Sequence, residues 1–94
     1  MKTKLLLVDD HAIVRSGLRM LLDGEVDVEI VGEAGTASDA INAIATVKPD
    51  VVLMDIGLPD MSGIDATREV KRLWPDIAVV ALTIHEDEEY FFNM

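Results

Sequence analysis

The stretch that most constrains the fold is residues 51–55, in which four apolar residues run directly into Asp55. A short apolar run of β-branched and aliphatic residues between turn residues predicts a strand buried on both faces. Pro49 precedes it and disfavours helix just before the strand begins. Asp55 therefore stands at the carboxyl end of a buried strand, where open α/β sheets place their ligands. A single Asp there could instead cap the next helix.

Three more segments have strand patterns, and they alternate with helical patterns. Residues 5–8 are wholly apolar, Val28–Ala34 alternates partly, as an edge strand does, and residues 77–82 are again apolar. Helices are predicted over residues 11–22 and 38–47, over a third segment that runs to Leu73, and from residue 86 onward. This alternation predicts right-handed crossovers and one parallel sheet, a doubly wound α/β fold with strand order 2-1-3-4.

The helical segments also predict caps and buried faces. Asp10 and Ser62 are the expected N-caps of the first and third helices, and Arg15 and Arg19 fall on the polar side of the first. The apolar stripes of the three helices predict inward faces formed, in order, by Val14, Leu18, Leu21 and Leu22, by Ile41, Ile44 and Ala45, and by Ala66, Val70 and Leu73.

Composition excludes several classes of protein. The chain carries 18 acidic and 8 basic residues, a net charge of -10, whereas a nucleic-acid surface needs the opposite sign. Such an excess of carboxylate favours a divalent cation or a basic partner, or simply a soluble surface. The absence of cysteine rules out a disulfide framework and agrees with a reducing cytoplasm. No apolar run is long enough for a signal peptide or a membrane span.

The residues that follow the strands point to one site. Asp9 and Asp10 follow the first strand, Asp55 ends the third, and Thr83 follows the fourth, so order 2-1-3-4 brings them to one rim. Converging carboxylates suit Mg²⁺, and the backbone carbonyl of Gly57 is a further candidate ligand. A carboxylate beside Mg²⁺ indicates phosphoryl chemistry, in which Thr83 can donate to a phosphoryl oxygen.

These residues resemble the receiver domain of two-component response regulators. The resemblance is carried by Asp9-Asp10, by Asp55 with the segment Leu58-Pro59-Asp60-Met61-Ser62-Gly63, and by Thr83, and it covers residues 1–94. Residues 14–18 and 82–85 are similar to the subclass whose receiver precedes a helix-turn-helix DNA-binding module.

The resemblance implies a phosphorylation-dependent signalling switch. Asp55 would accept a phosphoryl group from a sensor histidine kinase. Asp10, Asp55 and the carbonyl of Gly57 would ligate Mg²⁺, with Asp9 acting through water. Thr83 would relay the change through the fourth helix, and DNA would be bound only by a module absent from this chain. Such a protein transfers phosphoryl to itself, lies in the cytoplasm and is not a turnover enzyme on a metabolite.

The sequence departs from the family pattern at its C-terminal end. The family's fifth strand, the Lys that ends it and its fifth helix do not occur in residues 1–94, and no Lys follows Lys71. We therefore expect an incomplete receiver domain with a flavodoxin-like order 2-1-3-4-(5), which self-associates or belongs to a longer chain. The alternatives are a non-catalytic fragment that acts by protein contacts, or a phosphohydrolase with an aspartate nucleophile. Gly57 argues against the latter, because that class carries a second acid there. His11 and His85 are interpreted as exposed loop residues rather than metal ligands.

Overall fold

The structure, a computed structural model, describes residues 2–82 and has a parallel four-stranded sheet at its centre. The strands are β1 (Thr3–Val8), β2 (Val28–Ala34), β3 (Val51–Asp55) and β4 (Ala78–Leu82). Their order, β2-β1-β3-β4, and their parallel pairing confirm the predicted topology. Thr83, His85 and the helix predicted from residue 86 lie outside the described residues.

The sequence patterns of the strands follow from their places in the sheet. Leu6 and Leu7 are neighbours in β1, so their side chains point to opposite faces, and both are fully buried. Only a central strand needs apolar residues on both faces. In contrast, β2 is an outer strand, and its Glu29 and Glu33 are exposed.

Three helices connect the strands: α1 (Ala12–Asp23), α2 (Ala37–Val47) and α3 (Gly63–Leu73). The prediction of a Ser62 cap is confirmed, because its hydroxyl accepts the Asp65 N–H at 3.1 Å. None of these helices is both long enough and apolar enough to span a bilayer.

The predicted Asp10 cap of α1 is wrong by one residue. His11 is the N-cap, and its side chain makes no capping hydrogen bond. The cause is Asp9, whose carboxylate accepts the His11 N–H at 2.8 Å. This bond keeps the chain extended through His11, so the helix begins at Ala12.

The hydrophobic core lies between the sheet and helices α2 and α3; α2 contacts β2 and β1, and α3 contacts β3. It is built from aliphatic residues and methionine, which pack closely on the sheet. Its fully buried members are Leu6, Val8, Ala37, Ala40, Ile44, Val52, Met54, Ala66 and Val70.

The predicted inward face of α1 is only partly right. Val14, Leu18 and Leu22 are half-buried, but Leu21 is 75% exposed and no residue of α1 is fully buried. The helix rests on the outer strand β2, where Arg15 and Arg19 both pair with Glu33. The side of α1 that bears the arginines therefore faces Glu33 of β2, and Leu21 lies on the outside.

Single positions in the other two stripes also differ from prediction. In α2 the buried residues are Ala37, Ala40 and Ile44, whereas Ala45 is exposed. Ala45 follows Ile44 by one residue, which places it about 100° around the helix. Leu73 is exposed because it is the last residue of α3 and lines an open cavity of about 320 Å³.

Gly63 fixes how closely α3 approaches the end of β3. Its N–H donates to the Ile56 carbonyl at 2.9 Å. A Cβ at this position would overlap the carbonyl oxygen of Asp55 and the Cα of Ile56. Since both are backbone atoms, any larger residue would displace the segment that carries Asp55.

Candidate functional site

The site forms where β1 and β3 end side by side. Val8 lies opposite Met54 in the parallel register, so the next residues along each strand, Asp9 and Asp55, emerge at the same rim. This is the convergence that the strand-end pattern predicted. The residue that follows β4, Thr83, lies outside the described residues, so its role stays a prediction.

Four residues at this rim bring ligand atoms together. Asp9, Asp10, His11 and Asp55 each offer one oxygen or nitrogen, and these atoms all lie within 4.8 Å of one another. Asp9 is 3% exposed and Asp55 1% exposed, whereas Asp10 and His11 are exposed. The acidic cluster therefore has a buried floor and a rim open to solvent.

Asp55 has one oxygen held and one without a partner. Its Oδ1 accepts the Gly57 N–H at 3.1 Å. Its Oδ2 is buried and has no hydrogen-bond partner among the described residues. A buried carboxylate oxygen without a partner is costly, and native proteins seldom leave one without a ligand or a chemical role.

His11 belongs to the cluster, which the sequence interpretation missed. Its side chain is 47% exposed, as expected, yet its Nδ1 lies 2.9 Å from Asp9 Oδ1 and 3.0 Å from Asp10 Oδ1. The hydrogen bond to Asp9 and the charge of Asp10 raise the pKa of His11 above its usual value. Its position directly after two aspartates was the signal in the sequence.

Arg15 supports the floor of the site from α1. Its Nη1 donates to the backbone carbonyl of Asp9, and its Nε donates to Glu33 at 3.1 Å. Arg19 also donates to Glu33, at 2.8 Å, but does not reach Asp9. The sequence indicated only that both arginines are polar-side residues, because Glu33 lies on another element.

Asp60 ties the loop after Asp55 to the start of α2. Its two carboxylate oxygens accept the N–H groups of Ala37 and Ser38 at 2.8 and 3.0 Å. These bonds lower the pKa of Asp60 below its usual value. The loop that contains Gly57 is thereby joined to a second helix.

The donor set fits a hard divalent cation such as Mg²⁺. Three carboxylates converge, and one of them offers a buried oxygen that lacks a partner among the described residues. Oxygen ligands of this kind are those that Mg²⁺ prefers. The Gly57 N–H is held by Asp55, and the predicted use of the Gly57 carbonyl as a ligand stays a prediction.

Known proteins are similar to this chain in sequence and in fold. Residues 5–94 match the family model of the response regulator receiver domain. The response regulator protein VraR of Staphylococcus epidermidis is 45% identical over 92 residues, which cover 97% of this chain and 44% of VraR. The transcriptional regulatory protein YhcZ of Bacillus subtilis is 41% identical over 87 residues, covering 93% of this chain and 41% of YhcZ.

A solved response regulator structure is also similar to this chain. The crystal structure of a LuxR-family two-component response regulator from Aurantimonas superposes with a TM-score of 0.85 at 33% identity. The superposition covers 98% of this chain and 66% of the crystallised chain. The chain spans less than half the length of VraR and of YhcZ. The family model matches residues 5–94, which is nearly the whole chain, and the chain therefore belongs to the response regulator receiver domain family.

Proposed function

We propose that Asp55 accepts a phosphoryl group from a sensor histidine kinase, as the input step of a signalling switch. The observation that supports this most directly is the buried Oδ2 of Asp55, which has no hydrogen-bond partner among the described residues. The Gly57 N–H holds the other oxygen at 3.1 Å and so orients the carboxylate. An oriented carboxylate with one uncommitted oxygen is suited to act as a nucleophile.

Residues around Asp55 prepare the site for phosphoryl transfer. Asp9, Asp10, Asp55 and the carbonyl of Gly57 would hold Mg²⁺, which when bound offsets the negative charge of the phosphoryl oxygens. Asp55 Oδ2 forms the new O–P bond as the P–N bond of the kinase phosphohistidine breaks. The departing imidazole keeps the electron pair of that bond.

In this proposal, the residue after β4 transmits the phosphorylation signal to the next helix. Thr83 follows β4 and would donate its hydroxyl to a phosphoryl oxygen, which moves the start of the next helix. Relatives that include a transcriptional regulatory protein support an output in transcription. In this proposal DNA is bound by a separate helix-turn-helix module, since the chain itself has a net charge of -10.

The proposal is tested with Asp55→Asn. Intact-mass spectrometry after treatment with acetyl phosphate and Mg²⁺ should show one added phosphoryl group on the native protein and none on the variant. Asp76→Asn, an exposed carboxyl at the amino end of β4, is the matched control and should label normally. Labelling of the Asp55→Asn variant would refute the assignment, and rapid release of phosphate over many turnovers would favour a phosphohydrolase.

A further inference from the structure

The cluster contains a nitrogen donor that Mg²⁺ does not need. A ring nitrogen of His11 lies within 4.8 Å of a carboxylate oxygen of each of Asp9, Asp10 and Asp55. Mg²⁺ is bound by oxygen, whereas imidazole suits first-row transition metals. We propose that this site also binds divalent ions of the Co²⁺, Ni²⁺ and Zn²⁺ class, with His11 as a direct ligand.

The spacing of the donors supports shared coordination. Nδ1 of His11 is 2.9 Å from Asp9 Oδ1 and 3.0 Å from Asp10 Oδ1. Metal bonds of about 2.1 Å place neighbouring ligands of an octahedron about 3.0 Å apart. The ring nitrogen is therefore already at the separation from each carboxylate oxygen that neighbouring ligands of one metal ion have. Without a metal, the ring holds this position through its hydrogen bond to Asp9.

A second observation points to a ligand at the same place. The buried Oδ2 of Asp55 lacks a hydrogen-bond partner among residues 2–82. A cation bound between Asp9 and Asp10 lies within reach of this carboxylate, since all the donors fall within 4.8 Å. The resulting set, one imidazole and three carboxylates, is harder than a typical zinc site but softer than a pure oxygen site.

The backbone conformation at His11 leaves its ring available to bind a metal ion. His11 is the N-cap of α1, yet its side chain does not cap the helix. Its N–H donates to Asp9 Oδ1 at 2.8 Å, which folds the tight turn that brings ring and carboxylate together. Replacement of the ring therefore leaves the start of the helix intact. Metal binding of this kind requires only the four residues of the cluster, and it does not require that Asp55 accept a phosphoryl group.

Calorimetric titration of the tag-free, full protein with NiCl₂ and separately with MgCl₂ tests the inference. For His11→Ala we expect Ni²⁺ affinity to fall at least about tenfold, because loss of a residue that only supports a metal ligand already weakens metal binding by about 10–100-fold. Mg²⁺ affinity should be unchanged or higher, because the variant lacks the imidazole that pairs with the carboxylates of Asp9 and Asp10. The visible spectrum of bound Co²⁺ should change in the same variant, since a nitrogen ligand is lost.

Two further variants make the outcome decisive. Asp10→Asn should weaken both metals, whereas His85→Ala, at the other histidine of the chain, should weaken neither. Unchanged Ni²⁺ affinity in His11→Ala, or an equal loss for Ni²⁺ and Mg²⁺, would overturn the inference, as would a Ni²⁺ loss confined to His85→Ala. Failure of Asp55→Asn to block phosphorylation would refute the proposed function and leave the metal result standing.

Discussion

At the scale of single residues, Arg15 and Arg19 lie one helical turn apart and share Glu33, but only Arg15 also holds the Asp9 carbonyl. We expect Arg15→Ala to lower the free energy of unfolding by about 1–3 kcal/mol, because it removes the partner of a part-buried carbonyl. Arg19→Ala, the matched control, loses a largely exposed ion pair that contributes about 0–1 kcal/mol. Urea denaturation of both variants measures the difference, and equal losses would show that the Asp9 contact contributes nothing.

At the scale of elements, Asp60 joins the loop after β3 to the start of α2 through the Ala37 and Ser38 N–H groups. Since these bonds lower its pKa, the folded protein holds the Asp60 proton more weakly than the unfolded chain does. The stabilisation is therefore fully present above the usual Asp pKa and is lost as the pH falls through the lowered value.

The matching experiment is a series of thermal melts across acidic pH for the native protein and Asp60→Asn. At neutral pH the variant should melt at a lower temperature, and the gap should close as the pH falls below the usual Asp range. Asp76→Asn, which alters an exposed carboxyl without this role, should show no such gap. A gap for Asp60→Asn that is constant with pH would mean that the carboxylate charge is not what joins the two elements.

At the scale of the whole molecule, β4 is an outer strand of the described sheet. Its Ala78, Val80 and Ala81 are exposed, Val80 to 47%. An apolar outer strand invites pairing with a second chain, and a Lys on such a strand opposes it. We expect a chain made as residues 1–94 to self-associate and Val80→Lys to make it monomeric. Light scattering measures this against Val26→Lys, an exposed valine outside the strands. If the unmodified chain of residues 1–94 is monomeric and unfolds cooperatively, the expectation is contradicted.

Several features of this protein follow from the sequence by itself because they depend on neighbours along the chain. The unbroken apolar runs of β1 and β3 indicated central strands, and the turn residues after them marked the ends where Asp9 and Asp55 lie. Ser62 was recognisable as a cap because its partner is only three residues away. Register then brings the two strand-end carboxylates together, since parallel strands place their carboxyl ends on one edge.

Other features were decided only by the tertiary structure. Asp60 lies 23 residues from its partner Ala37, and Arg15 lies 18 residues from Glu33. No periodicity reports such pairs, because they form only when separate elements are packed side by side. The same packing turned α1 toward Glu33 and left Leu21 exposed, and it directed the His11 ring onto the carboxylates. The sequence by itself determined the strands and the acidic residues at their ends, because these are set by local pattern. The tertiary structure decided how those residues are held and which further donors join them, because that depends on contacts between elements distant in the chain.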